Sequence, residues 1–112
     1  MVKIEGRKFA AVLLLIFGLG PASIAQAETL DGETLFNQRT CFTCHGKDGK
    51  TPILPFYPLI AGQNAAYVLQ QLKDIKSGAR SNGNTPAMRG IMHLVNEEEM
   101  KVLADYISKL ER

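Results

Sequence analysis

Tryptophan is absent from this 112-residue chain, and cysteine and histidine occur only twice each. That scarcity limits the metal and thiol chemistry open to it. A structural zinc needs four ligands, so it would have to recruit Cys41, Cys44, His45 and His93, every cysteine and histidine present. A thioredoxin-type dithiol needs a βαβ setting around its C-x-x-C, and no stretch here alternates strand and helix patterns. Also missing are internal repeats, low-complexity tracts and, beyond residue 20, any apolar run approaching the roughly 20 residues that span a bilayer.

The beginning of the chain is different in kind. Lys3, Arg7 and Lys8 precede and flank an apolar run over 9–19, and Ala25-Gln26-Ala27 has the A-x-A form of a signal-peptidase site. The run is short for an anchor, so 1–27 is expected to be a cleaved secretory signal and 28–112 a single periplasmic domain of 85 residues. Loss of the leader takes the 13 basic and 11 acidic residues to ten of each. A formally neutral domain gives no reason to expect nucleic-acid or membrane binding. Its charges are nevertheless uneven: Arg39, Lys47, Lys50, Lys73, Lys76, Arg80 and Arg89 share the middle of the chain with only Asp48 and Asp74.

What the sequence does contain turns on Cys41-Phe42-Thr43-Cys44-His45. C-x-x-C-H is the attachment sequence for a c-type haem. Two thiols three positions apart can each form a thioether with one of the haem vinyl groups, while the adjacent imidazole reaches the iron from the same side. One short segment thus supplies both covalent links and the proximal ligand, and no other cysteine competes for them. Export agrees with this reading, because c-type haem is attached outside the bacterial inner membrane. Haem also answers a problem of size, since a domain this short builds only a marginal core. Burying ~400 Å² of macrocycle contributes on the order of 10 kcal/mol gross, an upper bound, so the haem-free protein is expected to be largely unfolded.

Three helices are readable. The first covers about 32–39, with Asp31 as N-cap and Leu35 and Phe36 as its apolar residues. The second runs from 64 or 65 to about 76, with Ala65, Val68, Leu69, Leu72 and Ile75 at helical spacing and Gly78 as a stop. The third follows Asn96, with Glu97, Glu98 and Glu99 where the helix dipole favours acids and Met100, Leu103, Ile107 and Leu110 as one stripe. Between them, 46–62 carries Pro52, Pro55 and Pro58, and 78–86 is rich in Gly, Ser and Asn; both are expected to be irregular. The fold class is all-α, three main helices around one large prosthetic group.

The sixth iron position separates an electron carrier from an enzyme or gas binder, and a methionine there raises the reduction potential. Downstream of the leader stand Met88, Met92 and Met100. Met100 fits the apolar stripe of the third helix, where methionine is ordinary core filler. Met88 follows Pro86 in the loop after the second helix, placed to approach the face opposite His45. Met92 lies four positions on and would share that face if 87–92 forms a helical turn. His93 is a further candidate, which would give bis-histidine ligation and a lower potential.

These residues resemble the class I c-type cytochromes, and within them the small periplasmic carriers that look like single halves of dihaem cytochromes. The resemblance covers essentially all of 28–112. It rests on Cys41-Phe42-Thr43-Cys44-His45-Gly46, Tyr57-Pro58-Leu59-Ile60-Ala61-Gly62-Gln63, Tyr67 with Gln70-Gln71-Leu72, Lys76-Ser77-Gly78-Ala79-Arg80-Ser81-Asn82, Pro86-Ala87-Met88 and Leu103-Ala104-Asp105-Tyr106-Ile107. The resemblance implies that Met88 is the axial ligand, that the first and last helices cross with Gly32 and Phe36 meeting Leu103 and Tyr106, and that one haem edge lies near the surface. It further implies that Pro58 packs on the histidine side and that Gln63, Arg80 or Asn82 bond the haem propionates. Thr40 is a departure, lengthening the step from Phe36 to Cys41 by one residue.

The function expected from all this is one-electron transport by a protein that is not an enzyme, binding one haem c through Cys41 and Cys44 with His45 and Met88 as iron ligands. Its partners would be redox proteins, with acidic docking surfaces suited to the basic middle of the chain. The main alternative is the haem-bearing electron-transfer subunit of a periplasmic dehydrogenase, and a five-coordinate gas-binding or peroxidase-like haem would require Met88 not to ligate.

Overall fold

The computed structural model describes residues 15–22 and 29–112. The basic residues of the leader and its Ala25-Gln26-Ala27 site lie outside the described residues; Leu15, Ile16, Phe17 and Leu19 stand exposed. Five helices follow: α1 (Gly32–Gln38), α2 (Cys41–His45), α3 (Ala65–Ser77), α4 (Thr85–Met92) and α5 (Glu97–Lys109). No strand occurs among the described residues, as the all-α expectation requires.

The helix ends obey the local chemistry. Asp31 caps α1, its Oδ2 accepting from the Thr34 backbone N–H at 2.8 Å and the Thr34 hydroxyl at 2.7 Å. Asn64 caps α3 by accepting from the Tyr67 N–H at 3.2 Å, and Gly78 ends that helix at φ 87°, a left-handed conformation that glycine adopts without penalty. Asn96 and Glu99 form a reciprocal capping box at the start of α5, with bonds of 2.9 and 3.1 Å.

Two helices go beyond the three expected. Residues 41–45 form the single-turn helix α2, and 85–92 form α4, where sequence composition suggested an irregular stretch giving at most one turn. Pro86 misleads there, because in the first turn of a helix it lacks only an N–H that would have had no intrahelical partner. Met88 accordingly sits on a helix, with Ile91 and Met92 one turn further along.

The core joins α1, α3, α4 and α5, with Cys41 and Phe42 of α2 packed against it. Leu35 and Phe36 of α1, Val68, Leu72 and Ile75 of α3, Met92 of α4, and Met100, Leu103, Ala104 and Ile107 of α5 form one buried cluster with Val95. The crossing of α1 and α5 pairs the residues expected of it: the Phe36 and Tyr106 rings lie 5.5 Å apart at 55°, and Phe36 and Leu103 are each 1% exposed. Gly32 permits the close approach. A Cβ at that position would collide with Tyr106 Cβ and stand 2.9 Å from its Cγ.

Thr40 joins α1 to α2 at φ 60°, ψ 20°, the sole non-glycine with positive φ among the described residues. A β-branched residue is strained there. Arg39, just before it, reaches across to α5: its Nη2 donates to Glu99 Oε1 at 2.6 Å and its Nε to Oε2 at 3.3 Å. The pair fixes the entry to α2 against the first turn of α5.

Candidate haem site

A cavity of about 570 Å³ opens between the helices, walled by the C-x-x-C-H segment, both intervening loops and α3, α4 and α5. α2 supplies Cys41, Cys44 and His45. The 46–62 loop adds Tyr57 and Pro58, α3 adds Val68 and Leu72, α4 adds Met88 and Met92, and α5 adds Leu103 and Ile107. The apolar stripes of α3 and α5 therefore serve twice, packing on each other and lining the hollow.

His45 is only 6% exposed, and its Nδ1 lies 2.8 Å from the Pro58 carbonyl oxygen. A carbonyl can only accept, so Nδ1 carries the hydrogen and donates it, which leaves the lone pair of the neutral ring on Nε2. Burial, partly offset by that hydrogen bond, pushes the imidazole pKa below its ordinary value and keeps the ring neutral. A ring held in one tautomer by a backbone carbonyl is the usual arrangement of a metal-ligating histidine. Pro58 thus does more than pack on the histidine side: its carbonyl orients the ligand.

The thiols tell against the other uses of C-x-x-C. Burial pushes Cys41 up to about 11, so it is a protonated thiol at neutral pH and not the thiolate that attacks in dithiol exchange. No cluster of three or more histidine, cysteine, aspartate or glutamate side chains suited to a metal occurs among the described residues. His93 caps the C-terminal end of α4, is exposed, and does not line the cavity.

Of the methionines, Met88 and Met92 both line the cavity. Met92 is 2% exposed and belongs to the core cluster, whereas Met88 is half-buried and packs against its edge. Met100 is in the core and off the cavity wall, the filler role expected from its place in the stripe.

The cavity wall also carries polar groups. Gln63, Arg80 and Asn82, which the resemblance assigned to the propionates, all line the cavity. Apart from His45, Arg80 is the one basic side chain on that wall among the described residues. Its Nη1 donates to Gln71 Oε1 at 3.0 Å. The sequence marked Gln71 only within Gln70-Gln71-Leu72 and gave it no role, although its place among Val68, Leu72 and Ile75 on the α3 stripe was a usable signal.

The residues fit a haem: an apolar hollow with two thiols and a tautomer-fixed imidazole on one side, and a cationic, amide-lined rim suited to carboxylates. Residues 30–111 match the family model for cytochrome c. The chain belongs to the cytochrome c family. It carries a covalently attached c-type haem, for which Cys41 and Cys44 are the two cysteines available.

Relatives of this cytochrome differ in length. A cytochrome c-553 of Nitratidesulfovibrio vulgaris is 32% identical over 96 residues, covering 86% of this chain and 87% of the relative. A thiosulfate dehydrogenase electron acceptor of Stutzerimonas stutzeri is 37% identical over 86 residues, 70% of this chain but 38% of that protein. The crystal structure of reduced recombinant cytochrome c4 from Pseudomonas stutzeri superposes with a TM-score of 0.64 at 34% identity, covering 71% of this chain and 46% of that one. The chain thus spans less than half the length of several of the cytochromes it matches. The class I cytochrome c fold expected from the sequence is the fold observed.

Proposed function

We propose that this cytochrome is an exported, periplasmic one-electron carrier in which His45 and Met88 are the axial ligands of a haem held by Cys41 and Cys44. The observation that carries the reading is the shared wall: an imidazole fixed with Nε2 as its lone-pair nitrogen and the thioether of Met88 border one apolar cavity. When bound, the haem supplies a single metal centre that gains and loses one electron. The chain supplies its setting. Val68, Leu72, Leu103 and Ile107 exclude water from the cavity, the Pro58 carbonyl holds the His45 ring, and a Met88 sulfur ligand favours the reduced state. Arg80 stands where it can balance carboxylate charge at the rim.

The leader motifs support export, and no helix among the described residues is long and apolar enough to cross a membrane. A second reading, the electron-accepting partner of a dehydrogenase, is favoured by the relative named as a thiosulfate dehydrogenase electron acceptor. In that case substrate oxidation takes place on another protein, and the role of this chain is unchanged.

Visible spectra of the mature holoprotein, reduced, with and without carbon monoxide, test the ligation. A low-spin ferrous spectrum unmoved by carbon monoxide is expected, with Met88→Ala becoming high-spin and binding it rapidly. If Met88→Ala keeps the parent spectrum while Met92→Ala loses it, the ligand is Met92.

A further inference from the structure

Five of the seven basic residues in the middle of the chain are occupied within the molecule. Arg39 bonds Glu99, Lys73 pairs with Glu97 at 3.1 Å, Lys76 donates to the Val95 carbonyl, and Arg80 bonds Gln71. Arg89 packs against Gly78 and reaches the Ser77 carbonyl. Lys47 and Lys50 remain, both exposed and in no ion pair among the described residues. The acid between them, Asp48, is engaged within the loop, its carboxylate accepting from the Lys50 N–H, the Thr51 N–H and the Thr51 hydroxyl at 2.8 to 3.0 Å. Neither lysine is therefore held in an ion pair among the described residues, and both ammonium groups face solvent on this loop.

The same loop exposes large apolar side chains. Ile53 is 66% exposed, Leu54 41% and Leu59 58%, all within seven residues and off the cavity wall, while Phe56 between them borders the haem cavity. Such a concentration of exposed apolar side chains marks an interaction site more often than an accident of folding. The loop is also tied down. Ile53 N–H donates to the Cys44 carbonyl at 3.2 Å, the N–H groups of Ile60 and Ala61 both donate to the Gly49 carbonyl, and Tyr57 N–H donates to the Leu54 carbonyl. A fixed surface loses little conformational freedom on binding.

We propose that the 47–59 loop is the docking face for an acidic redox protein, one whose contact surface is apolar at its centre with carboxylates opposite Lys47 and Lys50. This rests on the electron-carrier reading and specifies its partner. Two features argue for that occupant. A second copy of the chain, docked about a two-fold axis through this face, would bring Lys47 and Lys50 against their own counterparts. A lipid surface could accept the same side chains, yet the loop leads directly to the haem site: Leu59 is bonded to Pro58, whose carbonyl is the acceptor for His45. A partner seated here is one hydrogen bond from the proximal ligand.

The test uses the mature ferric holoprotein and, as probe, a reduced plant-type ferredoxin, a small acidic protein that gives up one electron while the cytochrome gains it. Stopped-flow rates are measured against ionic strength for the parent, Lys47→Glu/Lys50→Glu, Ile53→Ser/Leu54→Ser and Lys101→Glu. Lys101 lies on α5 about 200° around the helix from Leu103, away from the cavity. We expect the Lys47/Lys50 variant to slow transfer roughly tenfold at low salt and to lose the parent's decline with rising salt. The Ile53/Leu54 variant should slow it about threefold or more with the salt dependence kept, and Lys101→Glu should match the parent. Each variant is first shown to retain the parent's spectrum and midpoint potential, so failure of the haem assignment is seen separately. Parent-like rates in both loop variants overturn the proposal, as does an equal loss in Lys101→Glu. So does concentration-dependent dimerisation through Ile53 and Leu54, or their being needed for binding to anionic phosphatidylglycerol vesicles while ferredoxin rates stay unchanged.

Discussion

Replacing Gly32 by alanine tests the close approach of α1 to α5. The added Cβ would collide with Tyr106 Cβ and lie 2.9 and 3.3 Å from Cγ and Cδ2. The nearest of these atoms is anchored to the backbone of α5, so rotation of the phenol ring does not clear it; the helices themselves must separate. Overpacking of this kind costs about 1–3 kcal/mol, and the upper half of that range applies because the obstruction is a Cβ and not the far end of a flexible chain. Alanine's better helix propensity returns up to about 1 kcal/mol. A net loss of about 1–2 kcal/mol remains, a fall in Tm of roughly 4–16 °C for a domain of this size. Thermal unfolding of the ferric holoprotein, followed by far-UV circular dichroism, measures it. In a Tyr106→Ala background the ring atoms go but the Cβ stays, so the penalty should shrink without vanishing. An unchanged or raised Tm for Gly32→Ala would refute the account of the α1–α5 crossing.

Other consequences can be measured on the same protein. Thr40→Gly should stabilise the holoprotein by about 1 kcal/mol, because a β-branched residue leaves a left-handed conformation at φ 60°, and a lower Tm would contradict that. The Glu99 carboxyl is held below its ordinary value of 4.5, first by the Arg39 hydrogen bond. A lowered folded-state pKa gives stability that is present above the unfolded value and lost as pH falls through the folded one. Glu99→Gln should therefore be less stable at pH 7 and show a flatter loss in acid below about pH 4.5, whereas parallel acid-denaturation curves would count against the pairing. The Cys41→Ala/Cys44→Ala double variant, unable to retain haem covalently, should give a largely unfolded far-UV spectrum; native-like helicity would mean that the protein core suffices without the macrocycle.

Much of this molecule is local and therefore legible along the chain. C-x-x-C-H is a contiguous signal, so the haem and its attachment residues could be read directly. The caps Asp31 and Asn96, the Gly78 stop and the apolar stripes of α3 and α5 depend on neighbours within four residues, and they stand where the sequence puts them; Asn64, left open as the first residue of the second helix, is its cap. α4 escaped because its composition resembles a loop and Pro86 is harmless only in a first turn, a fact that depends on where the helix starts.

Tertiary structure decided what crosses the chain. The hydrogen bond from His45 to the Pro58 carbonyl selects the imidazole tautomer, and no spacing rule joins a ligand to a carbonyl thirteen residues away. Arg39 and Glu99, sixty residues apart, become one ion pair that is also part of a helix cap. The basic middle of the chain, uniform as a sequence, divides once folded into side chains held by internal partners and two lysines left beside exposed isoleucine and leucine. Local propensities and covalent motifs act over a few residues and are written in order. Tautomer, ion pairing and free surface depend on which distant atoms the packing of five helices brings within hydrogen-bonding distance, and these the fold alone determined.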